Sequence, residues 1–233
     1  MVTVISLGGS IVAPDNVDVP FLANFTGLVR ELLDADRERR FVFVVGGGGP
    51  ARKWQSAYRE ICAAKDGVAQ CHDEADWIGV MATRLNAQLV KAVLGEWCHQ
   101  DVVTDPTQVD EITGRVLVAA GWKPGFSSDF DAVLLAERFH AQTVINLSNI
   151  AKVYTADPKL DPNAKPLDSI SWADFRVMVG DEWVPGKNLP FDPVASRHAE
   201  KIGLTVICAA GQDMENFKNI INGAAFTGTT IGA

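Results

Sequence analysis

Four consecutive glycines, Gly46 to Gly49, follow directly on the apolar run Phe41-Val42-Phe43-Val44-Val45, and Pro50-Ala51-Arg52 come next. Without Cβ atoms, such a turn lets a bound group come right up to the backbone. Pro50 suits the first turn of a helix that Ala51 to Tyr58 can continue. Unpaired amides and the positive end of the helix dipole then converge on one point, which stabilises an anion. Arg52 adds a planar, permanently charged fork suited to phosphate. A flexible turn beside a surface arginine is the plain alternative. The spacing is not that of a P-loop, since no Gly-Lys-Ser/Thr follows, and it is not Gly-x-Gly-x-x-Gly.

Three further segments carry chemistry. Gly8-Gly9-Ser10 is a second small-residue turn. Gly121-Trp122-Lys123-Pro124-Gly125-Phe126-Ser127-Ser128-Asp129 combines loop-forming residues with two hydroxyls, a lysine and an aspartate. It reads as a loop that wraps a polar ligand, or simply as a helix start capped by Ser128 or Asp129. Lys152-Val153-Tyr154-Thr155-Ala156-Asp157-Pro158 sets an aromatic ring beside a carboxylate, which suits a nucleobase and ribose.

The elements that must position these segments follow from periodicity. Short apolar runs read as strands over Val2–Leu7, Phe41–Val45, Arg115–Ala120, Thr143–Leu147 and Leu204–Cys208, with Gly228–Ile231 as a final edge strand. Helical spacing predicts Phe21–Leu33, Ala51–Ala64, Asp73–Leu94, Phe130–Phe139, Ser171–Val179, a helix opened by Pro193, and Met214–Ile221. In the Asp73–Leu94 segment, Ile78, Ala82, Leu85, Leu89, Val90 and Val93 form the expected apolar side. Strands alternating with helices imply an α/β fold, a three-layer α/β/α sandwich around an open, mostly parallel sheet. Ligands in such sheets sit beyond the carboxyl ends of the strands, where every segment above lies.

A chain of 233 residues can form one α/β domain with a sizeable core, and no linker composition divides it. We read residues 1–233 as one domain with two halves, 1–120 and 121–233. The net charge of −8 argues against a nucleic-acid partner and requires any phosphate to be held by a local positive site. Cys62, Cys71, Cys98 and Cys208 have no metal or redox spacing and read as reduced thiols, with no resident metal site. No apolar run has membrane-spanning length and the N-terminus lacks a signal-peptide pattern, so the cytoplasm is the expected location and no membrane partner is expected.

The motifs in order resemble the amino acid kinase superfamily and, within it, the uridylate (UMP) kinases of the archaeal-type branch. The resemblance rests on Leu7-Gly8-Gly9-Ser10; Val45-Gly46-Gly47-Gly48 with Ala51-Arg52-Lys53; Asp76 with Ile78-Gly79 and Thr83-Arg84-Leu85-Asn86-Ala87; Pro124-Gly125 with Ser127-Ser128-Asp129; Val153-Tyr154-Thr155-Ala156-Asp157-Pro158-Lys159; Asp192-Pro193 with Ala195; and Gly228-Thr229-Thr230-Ile231. It implies an amino acid kinase-like fold and ATP-dependent, Mg2+-assisted phosphorylation of UMP to UDP in a homohexamer built as a trimer of dimers. It implies that Gly47, Gly48 and Arg52 hold the UMP phosphate region and Asp76 the ribose. The loop Trp122, Lys123, Pro124, Gly125, Phe126, Ser127 and Ser128 would close over the nucleotide. Ser148, Tyr154 and Asp157 would surround ATP, and Gly8, Gly9 and Ser10 would face the transferring phosphates. The first half becomes the acceptor side and the second mainly the ATP side. Asp129 would orient the charged groups at the transfer point, with Asp192 behind it; caps on the following helices are the rival account of both.

The chain departs from the family at four places. Ser6 and Leu7 stand where many members carry a lysine, and Arg197 matches the family's later lysine. Ala151-Lys152 replaces a usual carboxylate, and Trp122-Lys123 replaces a usual threonine and its neighbour. Lys123, Lys152 or Lys187 is then the candidate for the lost cation. Two other readings remain open: a superfamily kinase with a small carboxylate, carbamate or isoprenoid phosphate acceptor, and a non-catalytic nucleotide- or oxyanion-binding relative.

Overall fold

The computed structural model describes residues 2–64, 72–180, 182 and 189–232, and Lys187 lies outside them. In chain order the elements are β1 (Val2–Leu7), α1 (Gly9–Val12), α2 (Val19–Ala35), β2 (Arg40–Val45), α3 (Gly48–Ala63), α4 (His72–Leu94), β3 (Val116–Ala119), α5 (Ser128–Arg138), β4 (Thr143–Ser148), β5 (Ser169–Ile170), α6 (Trp172–Val179), α7 (Pro193–Lys201), β6 (Thr205–Ala210), α8 (Met214–Ile221) and β7 (Thr229–Ile231).

The strands form one sheet in the order β3-β2-β1-β4-β6-β7-β5. All pairings are parallel except β6 with β7. The expected edge strand is therefore not an edge: the two-residue β5 pairs with β7 on its outer side. The three strands before residue 120 are contiguous, and so are the four after it; they meet where β1 pairs with β4.

Alternation along each strand feeds two cores. Ile5, Leu7, Phe41, Phe43, Val116 and Ile145 pack with α2, α4 and α8. Val4, Val42, Val44, Leu117, Val144 and Val206 pack with α5, α6 and α7. Strands buried on both faces need apolar residues throughout, which is why their sequences read as continuous runs.

Helix α2 buries the face its spacing predicts, Phe21, Leu22, Phe25, Leu28, Val29, Leu32 and Leu33. Asp18 caps it by accepting the Phe21 amide at 2.9 Å. Helix α4 differs from expectation. It buries Ala75, Val80, Asn86, Ala87, Val90 and Leu94, and leaves Leu85 71% exposed. Its apolar residues run round more than one side, so periodicity alone does not select the side that meets the sheet.

Candidate active site

The turns leaving β1 and β2 touch backbone to backbone. A Cβ on Gly9 would stand 2.0 Å from the Gly48 nitrogen, and one on Gly46 would stand 2.5 Å from the Gly9 nitrogen. Gly48 has φ of 64°, and its amide unit lies against the carbonyls of Gly9 and Ala13, each 2.3 Å from where a Cβ would be. The Gly49 amide donates to Ala13 at 2.8 Å. The bareness of these glycines thus serves first to let two loops pack, and not ligand access alone. Helix α3 begins at Gly48, two residues before Pro50, with no side chain capping it, and α1 begins beside it at Gly9, also uncapped. Both starts leave amide donors without intrahelical acceptors. Arg52 Nη2 donates to the Pro14 carbonyl at 3.0 Å, and Lys53 Nζ donates to that of Asp15 at 3.0 Å, so both hold the 13–15 segment.

Helix α4 ties this pair of turns to the loop after β3. Asn86, buried in the middle of α4, donates from Nδ2 to the carbonyls of Gly46 at 2.9 Å and Gly47 at 3.1 Å. Three residues earlier, Thr83 Oγ1 accepts the Gly121 amide at 2.8 Å. Arg84 Nη2 donates to the Trp122 carbonyl at 3.0 Å, and Asp76 Oδ2 accepts the Gly125 amide at 3.2 Å. The tetraglycine turn and the 121–128 loop therefore share one edge of the sheet. Within the loop, the Trp122 and Phe126 rings lie 5.0 Å apart, and Lys123 Nζ sits 3.8 Å from the Trp122 ring centre.

Asp129 leads a group of carboxyls behind that edge. Its Oδ1 accepts from Ser6 Oγ at 2.9 Å, and its Oδ2 accepts from the Asp192 amide at 3.3 Å. Neither Asp129 nor Ser128 caps α5; Ser127 does, accepting the Phe130 amide at 3.2 Å. Asp192 does cap α7, accepting the Ala195 amide at 2.6 Å. Asp129 keeps some exposed surface, yet its carboxyl is surrounded by protein. Burial, then the Asp192 charge, push it up to about 7 against the hydrogen bonds from Ser6 and the Asp192 amide. Burial also raises Asp192, against the hydrogen bond from the Ala195 amide.

The ATP-side residues divide. Ser148 adjoins the glycine turns: the Gly8 amide donates to Leu147 at 2.9 Å, and a Cβ on Gly8 would lie 3.5 Å from Ser148 Cα. Tyr154 and Asp157 are held by their own loop, Tyr154 through a backbone bridge to Pro166 and Asp157 by accepting the Lys159 amide at 2.9 Å. Among the other cations, Lys152 pairs with Asp168. Arg197 is exposed and lines a cavity of about 610 Å³ with Phe130, Arg176 and Lys201; no residue of the glycine turns lines it.

Sequence reasoning gives Asp131 no role, marks Ser6 only as standing where relatives carry a lysine, and has Thr83, Arg84 and Asn86 as family-motif residues without an assigned contact. Asp131 is fully buried and accepts the Trp122 amide at 3.1 Å. A signal existed for two of them. Asn86 shares a helical face with Thr83 and Val90, and Asp131 directly precedes the apolar run Ala132-Val133-Leu134-Leu135. A polar residue on an inward face asks for a partner.

Among the described residues no three His, Cys, Asp or Glu side chains gather as a metal cage. Both Asp129 oxygens already accept hydrogen bonds. This donor set fits a Mg2+ carried mainly by a polyphosphate, with at most one or two carboxylates from the protein.

A profile of the Amino acid kinase family matches residues 1–210. The uridylate kinase of Methanospirillum hungatei JF-1 is 36% identical over 233 aligned residues, covering 98% of this chain and 93% of its own. Among solved structures, uridylate kinase from Archaeoglobus fulgidus superposes with a TM-score of 0.81 at 30% identity, covering 99% of this chain and all of its own. UMP kinase from Ureaplasma parvum gives a TM-score of 0.76 at 16% identity, covering 100% of this chain and 99% of its own, a likeness of fold. No helix among the described residues is long and apolar enough to cross a membrane.

Proposed function

This chain belongs to the amino acid kinase family, and on that premise we propose that it transfers the γ-phosphoryl group of ATP to UMP, giving UDP and ADP. The observation that carries the reading is the role of α4 in a chain that matches uridylate kinases over nearly its whole length. That one helix ties the tetraglycine turn, against which the Gly8-Gly9 turn packs, to the 121–128 loop.

In this reading the acceptor side is residues 1–120 and the donor side mainly 121–233, meeting where β1 pairs with β4. Gly47, Gly48 and Arg52 take the UMP phosphate, Asp76 the ribose, and Trp122 to Ser128 cover the nucleotide. Gly8, Gly9 and Ser10 face the transferring phosphates, with Ser148, Tyr154 and Asp157 around ATP. A UMP phosphate oxygen attacks the γ-phosphorus, and the bond to the β–γ bridging oxygen breaks as ADP leaves. No nucleophilic side chain is needed; the protein positions the reactants and stabilises charge on the equatorial oxygens. A Mg2+ arriving with the triphosphate would supply neutralisation of phosphate charge. Lys123 and Arg197 are the cations we assign to the transfer point, each after a movement: Lys123 leaves the Trp122 ring, and Arg197 leaves the separate cavity it lines. Asp129 orients them, and Asp192 fixes Asp129 through its amide.

We also propose a homohexamer acting in the cytoplasm. Exposed Trp54 and Ile61 on α3 and Trp77, Met81 and Leu85 on α4 support contact between copies. The test is ADP release with a panel of acceptors, with and without Mg2+. Turnover with UMP alone among the nucleoside monophosphates, and only with Mg2+, is the expected result. Turnover with a carboxylate, carbamate or isoprenoid phosphate instead, or ATP binding without turnover, overturns the proposal.

A further inference from the structure

We infer that Asp131 is a positioning residue for the 121–127 loop: through the Trp122 amide it locks that loop to the helix that carries Asp129. What the loop serves rests on the UMP kinase reading; the contact itself does not.

Asp131 lies in the first turn of α5 and is fully buried. One carboxyl oxygen accepts the Trp122 amide at 3.1 Å, and the other, also buried, has no hydrogen-bond partner. A carboxyl held by a single donor in such a place is costly. The residues that follow on α5, Ala132, Val133, Leu135 and Ala136, are all buried and apolar, and an apolar residue at 131 would continue that face. Stability therefore does not account for an aspartate here, whereas the Trp122 amide does.

The rest of Trp122 has other anchors. Its carbonyl accepts from Arg84 on α4 at 3.0 Å. Its ring packs on Phe126 and under Lys123. The Asp131 bond ties its backbone to α5, two positions from Asp129, while the ring reaches α5 through Phe126 and Phe130. Loop and transfer-point carboxyl then keep a common register. Burial foremost, and the charges of Asp129, Asp105 and Asp192, push the Asp131 carboxyl up to about 7 against the Trp122 hydrogen bond. Lys123, which faces Asp105, is the cation on that side. With the carboxyl at about 7 the neutral acid is well populated near neutral pH, and Asp131→Asn imitates it while keeping a side-chain oxygen for the Trp122 amide.

Asp131→Val removes the acceptor without opening a cavity; Asp131→Ala serves if the valine variant does not fold. Hydrogen exchange of the amides of residues 121–127 is expected to speed up at least about tenfold, with the unfolding midpoint unchanged or raised. The KM for UMP is expected to rise about tenfold while that for ATP stays within about twofold, and Asp131→Asn restores both readouts. Wild-type exchange in Asp131→Val overturns the inference, as does a fall in midpoint with an unchanged KM for UMP. The exchange measurement needs no substrate. If the wild-type protein shows no turnover of UMP, the functional reading fails, while faster exchange in the variant still sustains the positioning role.

Discussion

The hydroxyl of Ser6 donates to Oδ1 of Asp129 at 2.9 Å, joining the interior strand β1 to a helix start 123 positions later. Together with the Asp192 amide on the other oxygen, it fixes the Asp129 carboxyl beside the turns where we place phosphoryl transfer. Because Ser127 and not Asp129 caps α5, the carboxyl has no capping role. Asp129→Asn should therefore lower kcat by at least about 100-fold. Its unfolding midpoint should stay within about 3 °C, since a neutral amide escapes the desolvation cost of a carboxylate. Steady-state kinetics and thermal unfolding on the same preparation check this; near-wild-type kcat would make Asp129 structural.

Asn86 is the internal strut of the tetraglycine turn. Asn86→Ala leaves two carbonyls without their donor and is expected to lower the unfolding free energy by about 2 kcal/mol. The KM for UMP should rise roughly tenfold, the equivalent of about 1.4 kcal/mol. Asn86→Asp sets a carboxylate against the same carbonyls and should be worse on both counts. Denaturant unfolding and acceptor titration read the two effects separately.

The glycines of this chain are not equivalent. Gly9→Ala drives a Cβ into the Gly48 backbone, which no rotamer can relieve, and should cost about 3 kcal/mol or abolish soluble expression. Gly27 sits exposed in the interior of α2 with nothing within 4 Å of its added Cβ. Gly27→Ala should stabilise the protein by about 0.5–1 kcal/mol through the lost backbone freedom of glycine. Parallel melts of the two variants test this reading; equal effects would refute it.

Stability should fall as pH rises through neutrality. Asp129 and Asp131 are both pushed up to about 7 in the folded chain, from the ordinary value of 3.8. Between those values the folded state binds more protons than the unfolded one, so the slope of unfolding free energy with pH is negative. The contribution is complete below the unfolded value and is lost as pH passes the folded one. Urea midpoints should be higher at about pH 5.5 than at about pH 8, and Asp131→Val should flatten part of that slope. A midpoint rising over that interval in the wild-type protein would contradict the assignment.

The two long helices after β1 and before β3 separate what was legible from what was not. In α2 every residue at apolar spacing is buried, and the Asp18 cap stands where the chain needs an acceptor. In α4 the expected side is displaced, leaving Leu85 and Met81 exposed and putting Asn86 inward. A helix with one apolar stripe announces its own orientation; a helix apolar on several sides is oriented by its neighbours.

The residues by themselves determined the run of strands and helices apart from α1 and β5, the mostly parallel sheet, and the turns that open beyond its strands. These depend on contacts within a few positions: alternation, helical spacing, glycine and proline. They also carried the family motifs in order. Only the folded chain decided that Gly9 presses on Gly48, that Ser6 meets Asp129, that Asn86 and Thr83 hold two distant loops, and that Asp131 reaches Trp122. Most of those contacts join segments brought side by side by the order of strands, and the shorter link from Asp131 to Trp122 depends on how its loop folds back onto α5. No local pattern of residues encodes either.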